Sequence, residues 1–398
     1  MLVLALSLSA YAAPDEELLG KSKGYPVGTP ASWFFDESVR VGSFSRLDTI
    51  LPYNVLPRAP VASELKRATL APGFRYRFEG ASYSIDDYLD RQRATGLLII
   101  KDGELLVERY QYERKPTDRL VSNSMAKSLV SLAVGFALSE GKIHSLDDTA
   151  AAYVPELKGY AYGETRIRNL LRMASGVRFT EEYDRKDDLA KFASLVSAQG
   201  TLKALQAFND RDAQEGERFH YASIETLVLA VVVRAATGMN LAAYLGERVW
   251  QPMGAESDAT WIRTADGLER AAGNFNATLR DWGRLGVLLA NDGKLDGRQI
   301  LPKDYLLEAT DWHRQPAAFA PRKATPGYGY GYQFWIFPGE HRRFALLGVY
   351  GQAIFVDPEL KLVLVHTAAA KTARVGTEPM GKELGALWIA LVNAYGHW

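Results

Sequence analysis

The stretch Ser124-Met125-Ala126-Lys127 places a hydroxyl and an amine three residues apart, at the start of an apolar run that continues to Ser139. Small and apolar residues occupy nearly every side of this run, which predicts a buried helix. On a helix, positions i and i+3 share a face, so the lysine nitrogen can approach the serine oxygen. A buried lysine can lose its proton near neutral pH and activate a serine as a nucleophile.

Two further stretches have the same spacing, so spacing alone does not identify a site. Ser63 and Lys66 lie in a polar stretch before a Pro-Gly turn, and Ser139 and Lys142 lie at a helix end that Gly141 interrupts. Ser124 is therefore the candidate nucleophile, because it alone of the three begins a buried helix.

The composition limits the function classes. The chain has 398 residues, enough for one large domain or two lobes, and Lys+Arg and Asp+Glu both number 47, so its formal net charge is zero. This balance gives no support for a nucleic-acid partner. The absence of cysteine excludes disulfides and thiol chemistry, and the six histidines form no His-Glu-x-x-His pair. We expect neither a metal nor a cofactor, and a small molecule as the partner.

The N-terminus indicates a location. Leu2 to Ser9 is apolar and Ala10-Tyr11-Ala12-Ala13 follows, which is typical of a signal peptide over residues 1–13, although a basic beginning is missing. The alternative is an ordinary buried segment. The signal peptide predicts export, to the periplasm in a bacterium. Since no other segment is long enough to cross a membrane, we expect no stable membrane insertion; the sequence leaves the oligomeric state open.

The pattern of elements predicts a mixed α/β (α+β) fold. Residues 14–60 are predicted to be an irregular arm. Residues 61–150 and 266–398 are predicted to form a lobe with an antiparallel sheet flanked by helices, and residues 151–265 an inserted, mainly helical lobe. The runs that carry this prediction are a hairpin over Gly96–Glu108, helices over Ile167–Met173, Ile224–Thr237, Leu279–Asn291 and Lys382–Tyr395, and strands within Tyr328–Phe337, Phe344–Val349, Ala353–Val356 and Lys361–Thr367.

One tract in the C-terminal part alternates glycine and tyrosine from Gly327 to Tyr332. We expect a strand whose tyrosines share one face, while its glycines let another backbone approach closely. The alternative is a stacking surface for ligands.

Three motifs follow one another along the chain: the Ser124–Lys127 helix start, the Tyr221-Ala222-Ser223 loop and a strand that contains Gly348. Their order resembles that of the motifs in active-site serine hydrolases of the class C β-lactamase and penicillin-binding protein type. Within this group the chain is most similar to the family VIII-type esterases and the 6-aminohexanoate-dimer hydrolases. Further matching segments are Ser122–Ser128, Leu146–Asp148, Tyr153–Leu157, and Gly351-Gln352 before Phe355–Pro358. The resemblance extends from about residue 95 to the end and implies the β-lactamase/DD-peptidase-like fold.

The resemblance implies roles for individual residues. Ser124 would be acylated, Lys127 would accept its proton, and Tyr221 would carry a proton to the leaving group. Val349 would supply the second N–H of an oxyanion hole, together with that of Ser124. Tyr183 would contact the substrate. Ser223 stands where many relatives have asparagine, and it is also a candidate for substrate binding. Tyr221 would need the positive field of Lys127 to act as a base.

The third motif departs from the family pattern. Leu346-Leu347-Gly348 stands where β-lactamases have Lys-Thr-Gly, so no lysine is in place for the carboxylate of a penicillin. Tyr350 and Gln352 are candidates for contact with a polar substrate, or they pack and pair along the strand. The chain is therefore expected to be a serine hydrolase for carboxylesters or linear amides. The alternatives are β-lactamase or DD-peptidase-like activity and a non-catalytic sensor or binding module.

Overall fold

The computed structural model describes residues 13–398, so the predicted signal peptide lies outside the described residues except for Ala13. The strands are β1 Tyr53–Leu56, β2 Tyr76–Phe78, β3 Ala81–Tyr83, β4 Ala94–Lys101, β5 Glu104–Tyr110, β6 Leu120–Val121, β7 Ala259–Ile262, β8 Phe275–Ala277, β9 Lys294–Leu295, β10 Arg298–Gln299, β11 Gly329–Tyr330, β12 Trp335–Ile336, β13 Phe344–Gly348, β14 Gln352–Asp357 and β15 Leu362–Ala368. The α-helices are α1 Glu37–Ser43, α2 Ile85–Arg91, α3 Ala126–Ser139, α4 Ile167–Leu171, α5 Asp188–Gln199, α6 Thr201–Gln206, α7 Ser223–Thr237, α8 Leu241–Leu245, α9 Leu279–Ala290, α10 Lys303–Thr310 and α11 Pro379–Tyr395.

The main sheet is antiparallel and has seven strands in the order β11-β12-β13-β14-β15-β4-β5. The predicted hairpin is confirmed as β4 and β5, joined at Asp102 and Gly103, whose φ angles are 53° and 78°. Positive φ at both turn residues matches the right-handed twist of the strands they connect. The predicted meander at the C-terminal end is confirmed by β13, β14 and β15.

Helices cover both faces of this sheet. Along β4, Leu97 and Ile99 belong to the apolar cluster of α11, whereas Leu98 and Ile100 belong to the larger cluster of α3, α7 and α9. The side chains of a strand alternate between faces, so a strand covered on both sides reads as a continuous apolar run. The antiparallel sheet with helices on both faces is the mixed α/β architecture that the sequence predicted.

The helix that carries the first motif lies at the centre of the large cluster. A 3-10 turn over Asn123–Met125 precedes α3, and α3 residues 126–137 are all buried. Helix α7 contacts it and ends at Gly238, whose N–H donates to the Arg234 carbonyl at φ 71°. Residues of α3, α7 and α9, which come from different parts of the predicted division, thus share one apolar cluster.

Helix α7 also has a bearing on membrane insertion. In residues 13–398 no single helix is long and apolar enough to cross a membrane, and only the pair Ser223–Thr237 and Leu241–Trp250, bent by 74°, passes that test jointly.

The prediction missed a second sheet, in the order β1-β7-β8-β6. Strand β1 and helix α1 lie in the arm predicted to be irregular, and β7 lies in the part predicted to be mainly helical. Tyr53 of β1 pairs with Ile262 of β7. A four-residue strand whose partner is about 200 residues away in the sequence gives little local signal, because the partner supplies the hydrogen bonds.

The glycine-tyrosine tract differs in part from the prediction. The tract does not form one strand. It forms the short strand β11 and then a turn, in which Gln333 has a φ of 61°, before β12 begins. Tyr330 packs against Phe219, whereas Tyr332 packs against Tyr305, so the tyrosines do not line one face. The close approach at the glycines is present, because a Cβ on Gly331 would lie 2.0 Å from the Ala309 carbonyl oxygen.

Candidate active site

The Ser124 and Lys127 side chains meet at the start of α3. Lys127 Nζ donates to Ser124 Oγ at 2.8 Å and to the Ala272 carbonyl oxygen at 2.9 Å, and Lys127 is only 2% exposed. Burial lowers the pKa of Lys127 to about 8, against an opposing influence of Glu181 that raises it. A large fraction of the amine is therefore neutral near pH 8, which is the state in which it can accept the serine proton.

The two rival serines are held differently. Ser63 Oγ donates to the Met253 carbonyl, and Ser139 Oγ donates to the Phe136 carbonyl, each at 2.9 Å. Both hydroxyls are thus used by the backbone, whereas Ser124 Oγ receives the bond from the lysine of its own motif and lines a cavity. The three matches therefore differ in the partner of the serine hydroxyl, and of the three serines Ser124 is the one that contacts its own lysine.

The Tyr221 ring lies next to this pair. Lys127 Nζ is 4.9 Å from the ring centroid, and the ring stacks on Trp335 with centroids 5.6 Å apart. Burial and the charge of Glu181 raise the pKa of Tyr221, while hydrogen bonds from Ser124 and Ser223 act in the other direction. The net shift is upward, opposite to the lowering that we expected from Lys127. Tyr221 is therefore a neutral phenol in the free protein and is suited to donate a proton.

Glu181 is a site residue that the sequence reasoning missed. Its carboxylate accepts hydrogen bonds from the Tyr183 hydroxyl at 2.6 Å and from both Oγ and the backbone N–H of Ser223 at 2.7 Å. It is 5% exposed. Two predicted site residues, Tyr183 and Ser223, are thus brought together by this one carboxylate. Its position two residues before Tyr183 was the available signal, but an adjacent Glu182 made the choice ambiguous.

The end of β13 lies against the Ser124 backbone. A Cβ added to Gly348 would lie 2.4 Å from the Ser122 carbonyl oxygen and 3.0 Å from the Ser124 nitrogen, so only glycine permits this approach. Val349 follows directly and lines the cavity, and Asn123 Nδ2 donates to its carbonyl at 2.9 Å. The peptide nitrogens of Ser124 and Val349 therefore lie in neighbouring segments, as an oxyanion hole requires.

Tyr350 and Gln352 lie in the protein interior, where they pack and pair along the strand. Gln352 is 2% exposed, and its Nε2 donates to the Val349, Tyr350 and Ala368 carbonyls. The Tyr350 ring packs edge-on against Phe34, with the Arg40 guanidinium 4.2 Å from its centroid. Of the two alternatives that the sequence left open, substrate contact or packing and pairing along the strand, these contacts are of the second kind.

A cavity of about 470 Å³ opens beside Ser124. Helices α5 and α7 give it an apolar wall, and its charged lining residues among those described are one glutamate and two arginines. The apolar wall consists of Leu189, Phe192, Ala193, Val196, Ile224 and Leu227, and the charged residues are Glu181, Arg263 and Arg270. A mostly apolar cavity of this size with a few polar groups suits a small molecule.

A serine in contact with a buried lysine, placed at a small-molecule cavity on this fold, defines a serine hydrolase. The sequence pattern of the beta-lactamase family matches residues 84–378, and the chain belongs to that family.

The relatives of this chain carry hydrolase names. A Paenarthrobacter ureafaciens 6-aminohexanoate-dimer hydrolase is 25% identical over 343 residues, covering 82% of this chain and 84% of the relative. A Bacillus anthracis structure described as a candidate 6-aminohexanoate-dimer hydrolase superposes with a TM-score of 0.81 at 23% identity, covering 97% of this chain and 100% of that one. A family VIII carboxylesterase superposes with a TM-score of 0.60 at 17% identity, covering 81% and 99%.

Proposed function

We propose that this protein hydrolyses carboxylesters or linear amides through an acyl-enzyme on Ser124. The observation that carries the proposal is the 2.8 Å contact between Lys127 Nζ and Ser124 Oγ at the edge of the cavity. The names of the relatives, a linear-amide hydrolase and a carboxylesterase, agree with this substrate class.

Acylation would begin with the neutral amine of Lys127, which the Ala272 carbonyl orients. The amine accepts the proton of Ser124, and Oγ attacks the substrate carbonyl carbon. The resulting oxyanion accepts hydrogen bonds from the N–H groups of Ser124 and Val349. The Tyr221 phenol gives its proton to the departing alcohol or amine, and the Lys127 ammonium returns a proton to the phenolate. The products of this half-reaction are the Ser124 acyl ester and the free leaving group.

Deacylation would use the same groups in reverse. Water enters where the leaving group was, and its proton passes through Tyr221 to Lys127 as its oxygen attacks the acyl carbon. The tetrahedral intermediate then collapses, Ser124 Oγ departs and recovers the proton from Lys127, and a carboxylic acid is released. Each proton that enters the site thus leaves it within one turnover.

The alternatives make different demands of the site. A β-lactamase or DD-peptidase would need a cation at the β13 position that Leu346 occupies, since these enzymes hold a substrate carboxylate there. A sensor or binding module would acylate or bind once and not turn over. The missing lysine in β13 favours ordinary esters and linear amides over β-lactams.

The test compares wild type with Ser124→Ala, using fluorophosphonate labelling and hydrolysis of 4-nitrophenyl hexanoate. We expect label in wild type alone and a loss of turnover of about 10⁴-fold or more in the variant. Ser139→Ala is the matched control, because that serine has the same sequence spacing but a different partner, and it should retain labelling and turnover. Equal labelling of Ser124→Ala would exclude Ser124 as nucleophile. Labelling of wild type without turnover of esters, 6-aminohexanoate oligomers or a chromogenic cephalosporin would indicate the binding module.

A further inference from the structure

In the part of the chain that the structure describes, two guanidinium groups line the cavity without a carboxylate partner. Arg263 and Arg270 belong to the loop that joins β7 to β8, and both face the space beside Ser124. Within residues 13–398 no carboxylate forms an ion pair with either of them, and the Arg270 guanidinium donates no hydrogen bond. The sole side-chain bond of Arg263 in that range is a long one, 3.5 Å to the Thr264 carbonyl. Arg284 of helix α9, in contrast, is paired with Glu256 and Asp281.

The nearest acidic groups are already used. Three carboxylates lie in the same loop or in the cavity, and hydrogen bonds hold each of them elsewhere. Asp266 accepts from the Thr201 N–H and the Thr264 hydroxyl, Glu269 from Asn54 and the N–H groups of Leu241 and Ala242, and Glu181 from Tyr183 and Ser223. The arginine pair, Arg263 and Arg270, therefore leaves uncompensated positive charge at the cavity surface.

A partly buried charge without a partner is unfavourable unless a ligand compensates it. Burial lowers the pKa of Arg270, and this desolvation is not offset by any neighbouring charge. A guanidinium does not lose its proton at ordinary pH, so it cannot escape the cost by becoming neutral. Its planar set of donors matches a carboxylate, which it can bind through two parallel hydrogen bonds.

We propose that the substrate carries a carboxylate, which binds the arginine pair while an adjoining aliphatic segment lies on the α5–α7 wall. The inference rests on the proposed function and narrows its substrate class to esters or linear amides with an anionic chain. The same loop supplies the Ala272 carbonyl that orients Lys127, so one short segment connects the anion site with the base. An ammonium-ended chain is disfavoured, because the acidic lining residue, Glu181, already accepts three hydrogen bonds.

The first test measures binding without relying on turnover. In the Ser124→Ala protein, calorimetry compares three six-carbon probes that differ in one end group: 6-amino-6-oxohexanoate, adipamide and 6-aminohexanamide. We expect the carboxylate probe to bind roughly 10-fold or more tightly than the neutral and cationic ones. Adding Arg270→Gln should weaken its binding by about 10- to 100-fold, and Arg270→Lys should restore part of the loss. The matched control is Arg298→Gln, which removes an exposed arginine of β10 and should change nothing.

Equal affinity for the three probes, or a carboxylate affinity that Arg270→Gln leaves intact, would overturn the anion site. The latter result would show that Arg270 takes no part in binding the carboxylate. Thermal unfolding checks that each variant is folded, and Arg263→Gln gives a second, independent variant with an expected weaker loss. Two pairs of esters show on which side of the scissile bond the substrate carboxylate lies. One pair carries the carboxylate on the acyl chain, and the other carries it on the alcohol. Failure of the proposed function is a separate result, namely unchanged hydrolysis of 4-nitrophenyl hexanoate in Ser124→Ala.

Discussion

Lys127 and Arg270 are connected through one short loop, since Lys127 Nζ donates to the Ala272 carbonyl two residues after Arg270. Burial lowers the pKa of both side chains. Lys127 has two hydrogen-bond partners within the protein, Ser124 and Ala272, whereas in residues 13–398 the Arg270 guanidinium has none. Lysine can also become neutral near pH 8, and arginine cannot.

This difference in partners and in protonation distinguishes two uses of a buried cation. A lysine that is fixed by the protein and able to lose its proton is suited to chemistry, because it needs no ligand to complete its surroundings. An arginine that keeps its charge without a partner is suited to recognition, because a bound anion is what completes its surroundings. The predictions below test whether Ser124, Lys127 and the backbone around them are preorganised for the proposed reaction, as this contrast requires.

After the loss of the nucleophile in Ser124→Ala, the largest effect is expected from Lys127→Ala, which removes the proposed base. Acylation by 4-nitrophenyl hexanoate should slow by about 10³-fold, because Ser124 loses the group that accepts its proton. Stopped-flow release of nitrophenolate measures this step. Lys142→Ala is the matched control from the rival stretch and should acylate as wild type does. If Lys127→Ala acylated at the wild-type rate, Lys127 would have a purely structural role, and the contrast with Arg270 would not hold.

The next largest effect is expected from Gly348→Ala. The new Cβ would meet the Ser122 carbonyl at 2.4 Å and the Ser124 nitrogen at 3.0 Å, so β13 must move away from the oxyanion-binding backbone. We expect kcat to fall by about 10²-fold, with KM for the neutral ester little changed. Gly385→Ala in α11 is the control, since its Cβ would meet nothing within 4 Å, and it should keep full activity. A wild-type kcat in Gly348→Ala would show that the peptide groups of Ser124 and Val349 need not lie so close to each other.

The sequence was sufficient where the signal was local. The buried helix after Ser124, the Asp102-Gly103 hairpin and the Gly238 helix end each depend on neighbouring residues, and the structure has all three. The close approach of Ser124 and Lys127 agrees with their i, i+3 spacing at the start of a buried helix. The order of the motifs indicated the family before any geometry was known.

The remaining features depend on partners that lie far apart in the sequence. Strand β1 exists because β7 pairs with it, and the inward turn of Glu181 depends on donors that include Ser223, 42 positions later. The arginine pair is informative only through the absence of partners, which no sequence pattern displays. The sequence could not choose between the two roles of Gln352, because its three carbonyl acceptors come together only in the folded sheet.

A smaller effect, on stability, is expected from Gln352→Ala. The Val349, Tyr350 and Ala368 carbonyls lose a buried donor, so the free energy of unfolding should fall by about 2 kcal/mol. Urea unfolding followed by tryptophan fluorescence measures it. The KM for the neutral ester should stay close to the wild-type value, because this side chain does not reach the cavity surface. A large rise in KM without loss of stability would return Gln352 to the substrate-binding residues that the sequence suggested.

The smallest effect is expected on the pH profile of kcat/KM. In wild type the rate should rise with pH through a midpoint near 8, as Lys127 loses its proton and becomes a base. The negative charge of Glu181 stabilises the ammonium form and raises this pKa. Glu181→Gln should therefore move the midpoint to lower pH, by about one unit or less. Glu182→Gln is the matched control, because this exposed neighbour pairs with Arg374, and its midpoint should stay in place. A shift of the midpoint to higher pH in Glu181→Gln would mean that the rise of kcat/KM with pH reflects the titration of a group other than Lys127.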